Sequence, residues 1–467
     1  MADINSIPEE ILEKIVVHLS VISELQEASW VCREWRKLCF SIYIAKTETF
    51  CNESSKGNFI WRLCGDPKSS RPLRLRAKRF QYPRHDINSL IVVPAPRTVP
   101  QGSIFRNSLF IFGGEQSSRT SISKGLFNDL HSYDILTGEW AKVQPVPESG
   151  IPPRPRCAFS MCRFEDNLIV TGGNTGYSPR INSMTFILYD EIIAYNITGN
   201  FWYSIGSLKF ARCYHRSACL RSGSGVKLVL TAGLYSGFTM ADTVEVVHLT
   251  HEDGQLKSAS SVSLFTFPHV RNLHSQVQLD PTRLLVYGGY NMDPERPGIM
   301  NGFVIRTDAW ILEFNEDYTE MIMSSVSVEN LDAYNGLYPA SVLGEVKVKD
   351  CLIYLEHGAY IRRSVTSPEY YETHSDRKPS GEEIYRQDYY HTFILDIGNA
   401  ISQKCISWRP VKQNPPRFSP RFSQGHCSVR AGDCILVFGG SIIDRRTKQK
   451  IETNDLYKVN VLKSLVI

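Results

Sequence analysis

The stretch Leu109-Phe-Ile-Phe-Gly-Gly114 decides how the chain reads. It returns as LIVTGG at 168–173, LLVYGG at 284–289 and ILVFGG at 435–440. Each copy is a short strand-forming run, without polar alternation, that ends on two glycines. Such a run, bounded by glycine, predicts a strand. Degraded copies end on Ala232-Gly233 and His357-Gly358, and the six pairs start 59, 60, 56, 69 and 82 residues apart. Self-similarity at this spacing is the mark of a repeat array rather than of separate domains, and spacings above the ~50 residues of such a unit mean that the units carry insertions.

Each run is preceded by a second strand-like segment, such as RCAFSMC (156–162) or GHCSV (425–429), and followed by an acidic residue that opens a third. The acidic openings are Asp129, Glu191, Asp242, Asp308, Asp388 and Asp455. A tryptophan then follows a short turn in TGEW (137–140), TGNFW (198–202) and, more loosely, ISW (406–408). Four short strands in meander order predict a propeller blade, and six acidic openings predict six blades. The last blade runs out of chain after DLYKVNV (455–461). Its outer strand is expected from the N-terminal side, near 57–63, where GNFIW stands; this would close the ring and remove an open edge.

With strands a to d numbered outward from the axis, the b–c and d–a loops emerge at one end and the a–b and c–d turns at the other. From second glycine to acidic opening the b–c intervals are 15, 18, 9, 19, 30 and 15 residues. One mouth is therefore decorated and the other trimmed, and long loops on a rigid scaffold are where binding is sought. The longest, 359–387, holds Arg362, Arg363, Tyr370 and Tyr371, residue types enriched at protein interfaces. Arg180, Arg296, Arg306, Arg445 and Arg446 stand on neighbouring b–c loops and complete the candidate target-binding set. Arginines also recur near strand a, at Arg84, Arg156, Arg212, Arg271 and Arg421, a periodic placement that favours a structural role. The periodic carboxylates are expected to cap turns by accepting local backbone N–H groups.

The first fifty residues differ. Glu9–Leu19 places Ile11, Leu12, Ile15 and Leu19 on one helical face, with Ser6 and Pro8 where a cap and a first-turn proline belong. Two more helical stretches follow to about residue 45, with Val31, Trp35 and Leu38 on one stripe. So few helical residues need a partner surface to make a secure core.

Composition narrows the function classes. A net charge of +4 with 21% charged residues carries no bias toward nucleic acid or membrane lipid. The N-terminus does not read as a secretory signal, and no apolar run approaches the ~18 residues of a membrane helix. The twelve cysteines form no Cys-x-x-Cys, so they are read as reduced thiols serving as small core residues. No His-x-His, no His-Glu-x-x-His and no Gly-x-Ser-x-Gly occurs, and neither metal nor cofactor is expected.

IPEEILEKIVVHL (7–19) with WVCREWRKL (30–38) resembles an F-box, and the repeated unit resembles the Kelch repeat. The whole chain is similar to F-box/Kelch proteins of the single-F-box type. The resemblance implies an all-β six-bladed Kelch β-propeller preceded by a three-helix F-box domain: F-box at 1–50, linker at 51–56, propeller at 57–467. It implies the substrate-recognition subunit of an SCF-type E3 ubiquitin ligase, non-catalytic, cytoplasmic and/or nuclear. Ile7, Pro8, Ile11, Leu12, Ile15, Leu19, Val31 and Trp35 would contact the Skp adaptor, and through it a cullin–RING scaffold. The propeller mouth would bind the target protein, and some Kelch relatives hold acidic peptides with mouth arginines. A Kelch interaction scaffold without a ligase role and a propeller enzyme are the alternatives.

Overall fold

The computed structural model describes residues 60–63, 93–116, 125–146, 150, 152–175, 187–222, 225–236, 239–252, 254–292, 303–329, 345–348, 350–354, 392–411, 422–432, 434–443 and 450–460. The described residues form an all-β fold in a propeller-like arrangement, built from four-stranded antiparallel meanders. The first unit runs Gln101–Phe105, Ser108–Phe112, Leu130–Asp134, Glu139–Lys142. The second runs Ser160–Phe164, Asn167–Thr171, Glu191–Asn196, Phe201–Ser207, and the third Arg216–Ser222, Gly225–Thr231, Thr243–Glu252, Gln255–Thr266.

A fourth separate sheet joins the two ends of the described chain. Phe422–Ala431, Cys434–Ile443 and Leu456–Asn460 form its inner strands. Its outer strand is Ile60–Leu63, antiparallel to Leu456–Asn460 with Ile60 opposite Asn460 and Leu63 opposite Tyr457.

The count of six separate blades meets a difference here. The remaining two meanders share one eight-stranded sheet. One is Ser275–Asp280, Arg283–Tyr287, Ala309–Phe314, Met321–Glu329; the other is Glu345–Val348, Cys351–Tyr354, Thr392–Asp396, Cys405–Val411. Their outer strands pair in parallel, Ser327 opposite Cys405 and Glu329 opposite Ser407, so the two edges satisfy each other's backbone groups.

The first strands stand side by side in order. Gln101–Phe105 adjoins Ser160–Phe164, which adjoins Arg216–Ser222 and then Ser275–Asp280; Glu345–Val348 adjoins Phe422–Ala431, which returns to Gln101–Phe105. The Lys347 ammonium donates to the Gln278 carbonyl and bridges the remaining step.

In the first four units strand b is buried on both faces, which is why it reads as a continuous apolar run. Leu109 and Ile111 pack toward the sheet containing Phe438, while Phe110 and Phe112 pack toward the second unit. Likewise Leu168 and Val170 face the first unit and Ile169 the third. The tryptophan of strand d packs on the aromatic that precedes the neighbour's glycine pair. Trp140 lies 5.2 Å from Phe438, Trp202 5.3 Å from Phe112 and Trp408 5.1 Å from Tyr287.

The glycine pair turns the chain at the end of strand b. The first residue is left-handed (φ 62° at Gly113, 57° at Gly172, 66° at Gly288) and the second lies near φ 90° (95° at Gly114, 97° at Gly173, 86° at Gly289). Ala232 keeps the first conformation at φ 49°. The second position admits no side chain. A Cβ on Gly114 would sit 2.7 Å from the Thr98 carbonyl oxygen, and one on Gly289 2.5 Å from that of Asn272.

Gly114→Ala is therefore expected to lower the unfolding free energy by ~2 kcal/mol or more, whereas Ala232→Gly should hold it or raise it by up to ~1 kcal/mol. Urea denaturation of the two variants checks this; equal losses would contradict the division of roles within the pair.

Candidate protein-binding rim

At the loop-bearing end, four arginines with no exposed surface (Arg97, Arg156, Arg212 and Arg271) open successive units. Each guanidinium ties its own unit together. Arg97 Nε donates to the Ala95 carbonyl at 3.0 Å and Nη1 to the Gly113 carbonyl at 3.1 Å. Its two Nη atoms also hold Asp129 in a fork at 2.6 and 3.0 Å. Arg156 repeats this on Arg154, Gly172 and Glu191. Arg271 does so on His269, Gly288 and Asp308.

The arginine backbone makes the link to the unit before. The second-glycine N–H of Gly114 donates to the Arg156 carbonyl, Gly173 to Arg212, Gly233 to Arg271 and Gly440 to Arg97.

This corrects three expectations. In the first unit the position belongs to Arg97, which stands 16 residues before the first glycine, as Arg156 does; Arg84 and Arg421 lie outside the described residues. In the third unit Glu245, not Asp242, is the carboxylate, bound to Arg212 at 2.7 Å. Thr243 takes the backbone place of Asp129, and Glu245, two residues on and thus on the same strand face, reaches back with its longer side chain. Third, Asp129 and Asp308 are ion-pair partners of buried arginines rather than turn caps. The four arginines are accordingly spent on the scaffold and are not available to hold an acidic peptide.

Burial alone would raise the Asp129 carboxyl, but hydrogen bonds from His131 and Arg97 hold it well below the usual carboxylate range. Asp308 is also depressed, its burial outweighed by the Arg271 charge and by hydrogen bonds from Arg306, Trp310 and Arg271. Glu245, sealed from solvent, goes the other way: burial outweighs Arg212 and raises it.

In the second, third and fourth units the side chain two residues before the buried arginine lies against an aromatic ring; in the first unit the position is Ala95. Arg154, 58% exposed, lies 4.3 Å over Tyr189 and pairs with Glu191 at 2.5 Å. Phe210, 41% exposed, meets Tyr235 at 5.5 Å. His269 stacks on Trp310 at 3.6 Å, with its imidazole held below its ordinary pKa by burial. Ile187, 67% exposed, stands nearby in the chain, two residues from Tyr189. Arginine and aromatics on rigid supports are the side chains that anchor protein interfaces. Sequence reasoning overlooked this rim; the signal was the fixed offset of two from each periodic arginine.

Of the target-binding candidates, only Arg306 is among the described residues. It is half-buried and grips Asp308 with Nε at 3.0 Å and Nη2 at 3.1 Å, which commits it to the Arg271 cluster. Arg180, Arg296, Arg362, Arg363, Tyr370, Tyr371, Arg445 and Arg446 lie outside the described residues, as do Ile7, Pro8, Ile11, Leu12, Ile15, Leu19, Val31 and Trp35. Three b–c connections continue as short β-ribbons: Glu115–Gln116 with Gly125–Leu126, Tyr290–Met292 with Phe303–Ile305, and Ser441, Ile442 and Ile443 with Lys450–Glu452. Arg296 belongs to the segment between the arms of the second, Arg445 and Arg446 to that of the third.

Buried histidines join neighbouring units. His215 Nε2 meets Thr171 Oγ1 at 2.9 Å and His274 Nε2 meets Thr231 Oγ1 at 2.7 Å, and burial keeps both imidazoles neutral. Among the described residues no group of three or more His, Cys, Asp or Glu side chains converges, and no helix is long and apolar enough to cross a membrane.

A family model described as F-box-like matches residues 4–47, so an F-box-like domain precedes the β-structure. Among solved structures, the chain is similar to one titled "Structure of YjhT", at 13% identity and a TM-score of 0.47, over 79% of this chain and 96% of that one. The class is thus defined by its parts: an F-box-like domain followed by an all-β, propeller-like body.

Asp129→Asn would leave Arg97 buried without its counter-charge, and is expected to cost ~3 kcal/mol at neutral pH. Because the folded pKa values of Asp129 and Asp308 are depressed, their stabilisation is complete above the unfolded carboxylate value of ~4 and is lost as pH falls below it. Denaturation between pH 7 and pH 3 should show this loss, with a shallower slope in Asp129→Asn; parallel curves for variant and parent would refute it.

Proposed function

We propose that this protein is the substrate-recognition subunit of an SCF-type E3 ubiquitin ligase. The observation that carries the reading is the F-box-like match at residues 4–47. F-box domains in general bind Skp adaptors. Ile7, Pro8, Ile11, Leu12, Ile15, Leu19, Val31 and Trp35 would supply the contacts, and the adaptor would bring a cullin–RING scaffold. In this reading the domain boundaries are 1–50 and 57–467. The body is a six-bladed Kelch propeller, in which the eight-stranded sheet counts as two blades joined at their outer edges.

The propeller would hold a target protein at its loop-bearing end, on the rim of Arg154, Tyr189, Phe210, Tyr235, His269 and Trp310 and on the long b–c loops. Its contribution is effective concentration: a target lysine is kept near a ubiquitin-charged enzyme, so this chain needs no catalytic side chain. The cytoplasm and nucleus, where such ligases work, are the proposed locations.

Co-purification with the Skp adaptor tests the first half. The double variant Trp35→Ala, Ile11→Ala should lose the adaptor at least tenfold while the β-body keeps its melting transition; undiminished recovery would sink the ligase reading and leave an interaction scaffold. For the second half, affinity capture with the F-box-like domain deleted should lose its specific proteins when 359–387 is also removed. An unchanged set of captured proteins would show that this loop takes no part.

A further inference from the structure

The seam between the second and third units carries a pair of cysteines that the proposed function does not use. Cys162 lies on Ser160–Phe164 and Cys219 on Arg216–Ser222, the two innermost strands. Their sulfurs are 3.4 Å apart. Contacts on either side hold the strands in register. The Ser217 amide and hydroxyl both donate to Ser160 Oγ, at 2.9 and 2.8 Å. Two residues further along each strand, the Arg221 guanidinium lies 5.2 Å from the centre of the Phe164 ring and pairs with Glu165 at 2.5 Å.

Both cysteines are half-buried, unlike Cys157, Cys213, Cys427 and Cys434, which are buried. Hydrogen bonds from Cys219 and Ser217 hold the Cys162 thiol below its ordinary range, and the Cys219 thiol is raised because it keeps the proton the two sulfurs share. Burial pushes Cys213 and Cys427 up to about 12, which leaves them as inert thiols.

We propose that Cys162 and Cys219 form a hydroperoxide-responsive dithiol that closes into a disulfide between the innermost strands of two neighbouring units. The Cys162 thiolate attacks one oxygen of the peroxide. The O–O bond breaks, and the leaving hydroxide takes up the proton released by Cys162 as water. The sulfenic acid at Cys162 is then attacked by the Cys219 sulfur. An S–S bond forms, the S–O bond breaks, and the departing hydroxide leaves as water with the Cys219 proton. Two thiols lose two electrons and two protons, and one hydrogen peroxide becomes two waters. From 3.4 Å the sulfurs need approach by only about 1.3 Å to reach disulfide bonding distance. The bond would close a loop between positions 57 apart in sequence and fasten the seam from the axial side.

The full-length chain, reduced and then treated with a small excess of hydrogen peroxide, is quenched with iodoacetamide and digested with trypsin. Peptides 157–163 and 217–221 should appear joined, with fragment ions placing the link at Cys162 rather than Cys157, and dithiothreitol should separate them. Oxidation should raise Tm by about 5 °C, reversibly. Cys162→Ser and Cys219→Ser should each abolish the link and the Tm shift, and Cys219→Ser should leave a dimedone-reactive sulfenic acid at Cys162. The peptide map of the parent protein does not depend on the variants folding. Both cysteines alkylated after peroxide, a link to any other cysteine, or an unchanged Tm with the link formed would overturn the proposal.

Discussion

Everything in the described β-structure hangs on a guanidinium that cannot give up its proton and has no water to face. A buried, unpaired arginine would cost several kcal/mol, so its charge needs a counter-charge and its donors need fixed acceptors. In the first, second and fourth units those acceptors are the carbonyl two residues back, the carbonyl of the first glycine and the carboxylate that opens strand c. In the third, Arg212 reaches Ala232 and Glu245, and its Nε has no partner among the described residues. One side chain thereby fixes where strand a begins, where strand b ends and where strand c starts. Its own carbonyl receives the second-glycine N–H of the unit before, which passes the constraint around the ring.

The fifth unit shows what happens without it. The sequence has no arginine between Arg306 and Arg362, and its glycine pair is degraded to His357-Gly358. This is also the unit whose outer strand pairs in parallel with that of the fourth. Edge-to-edge backbone pairing joins the two units into one sheet there.

Scaffold and recognition are set apart by two residues. The arginine turns inward onto the scaffold, while in the second, third and fourth units the residue two positions earlier meets an aromatic ring. In the four units with a buried arginine that earlier residue varies: Ala95, Arg154, Phe210 and His269. A periodic frame thus carries a non-periodic surface.

The local patterns were legible without coordinates. Runs such as LFIFGG announce strands buried on both sides because both faces of strand b meet apolar neighbours. The glycines announce a turn with φ values that side chains resist, and the tryptophan positions mark the outer strand. The F-box-like segment is legible for the same reason: helix spacing, a proline and a Cys–Trp offset are all local. Pairing across insertions was not. Arg97 was missed for Arg84, and Glu245 for Asp242, because loops of unequal length shift the register and a glutamate reaches a residue further than its backbone position implies. The periodic carboxylates were visible, but their partners stand 32 to 37 residues away and only folding brings them within hydrogen-bonding distance. By itself the sequence determined the repeat, the strands and the F-box-like segment, since each depends on residues a few positions apart. Only the tertiary structure decided which charges are buried, which side chains form the rim and that Cys162 meets Cys219, since these depend on neighbours from different units.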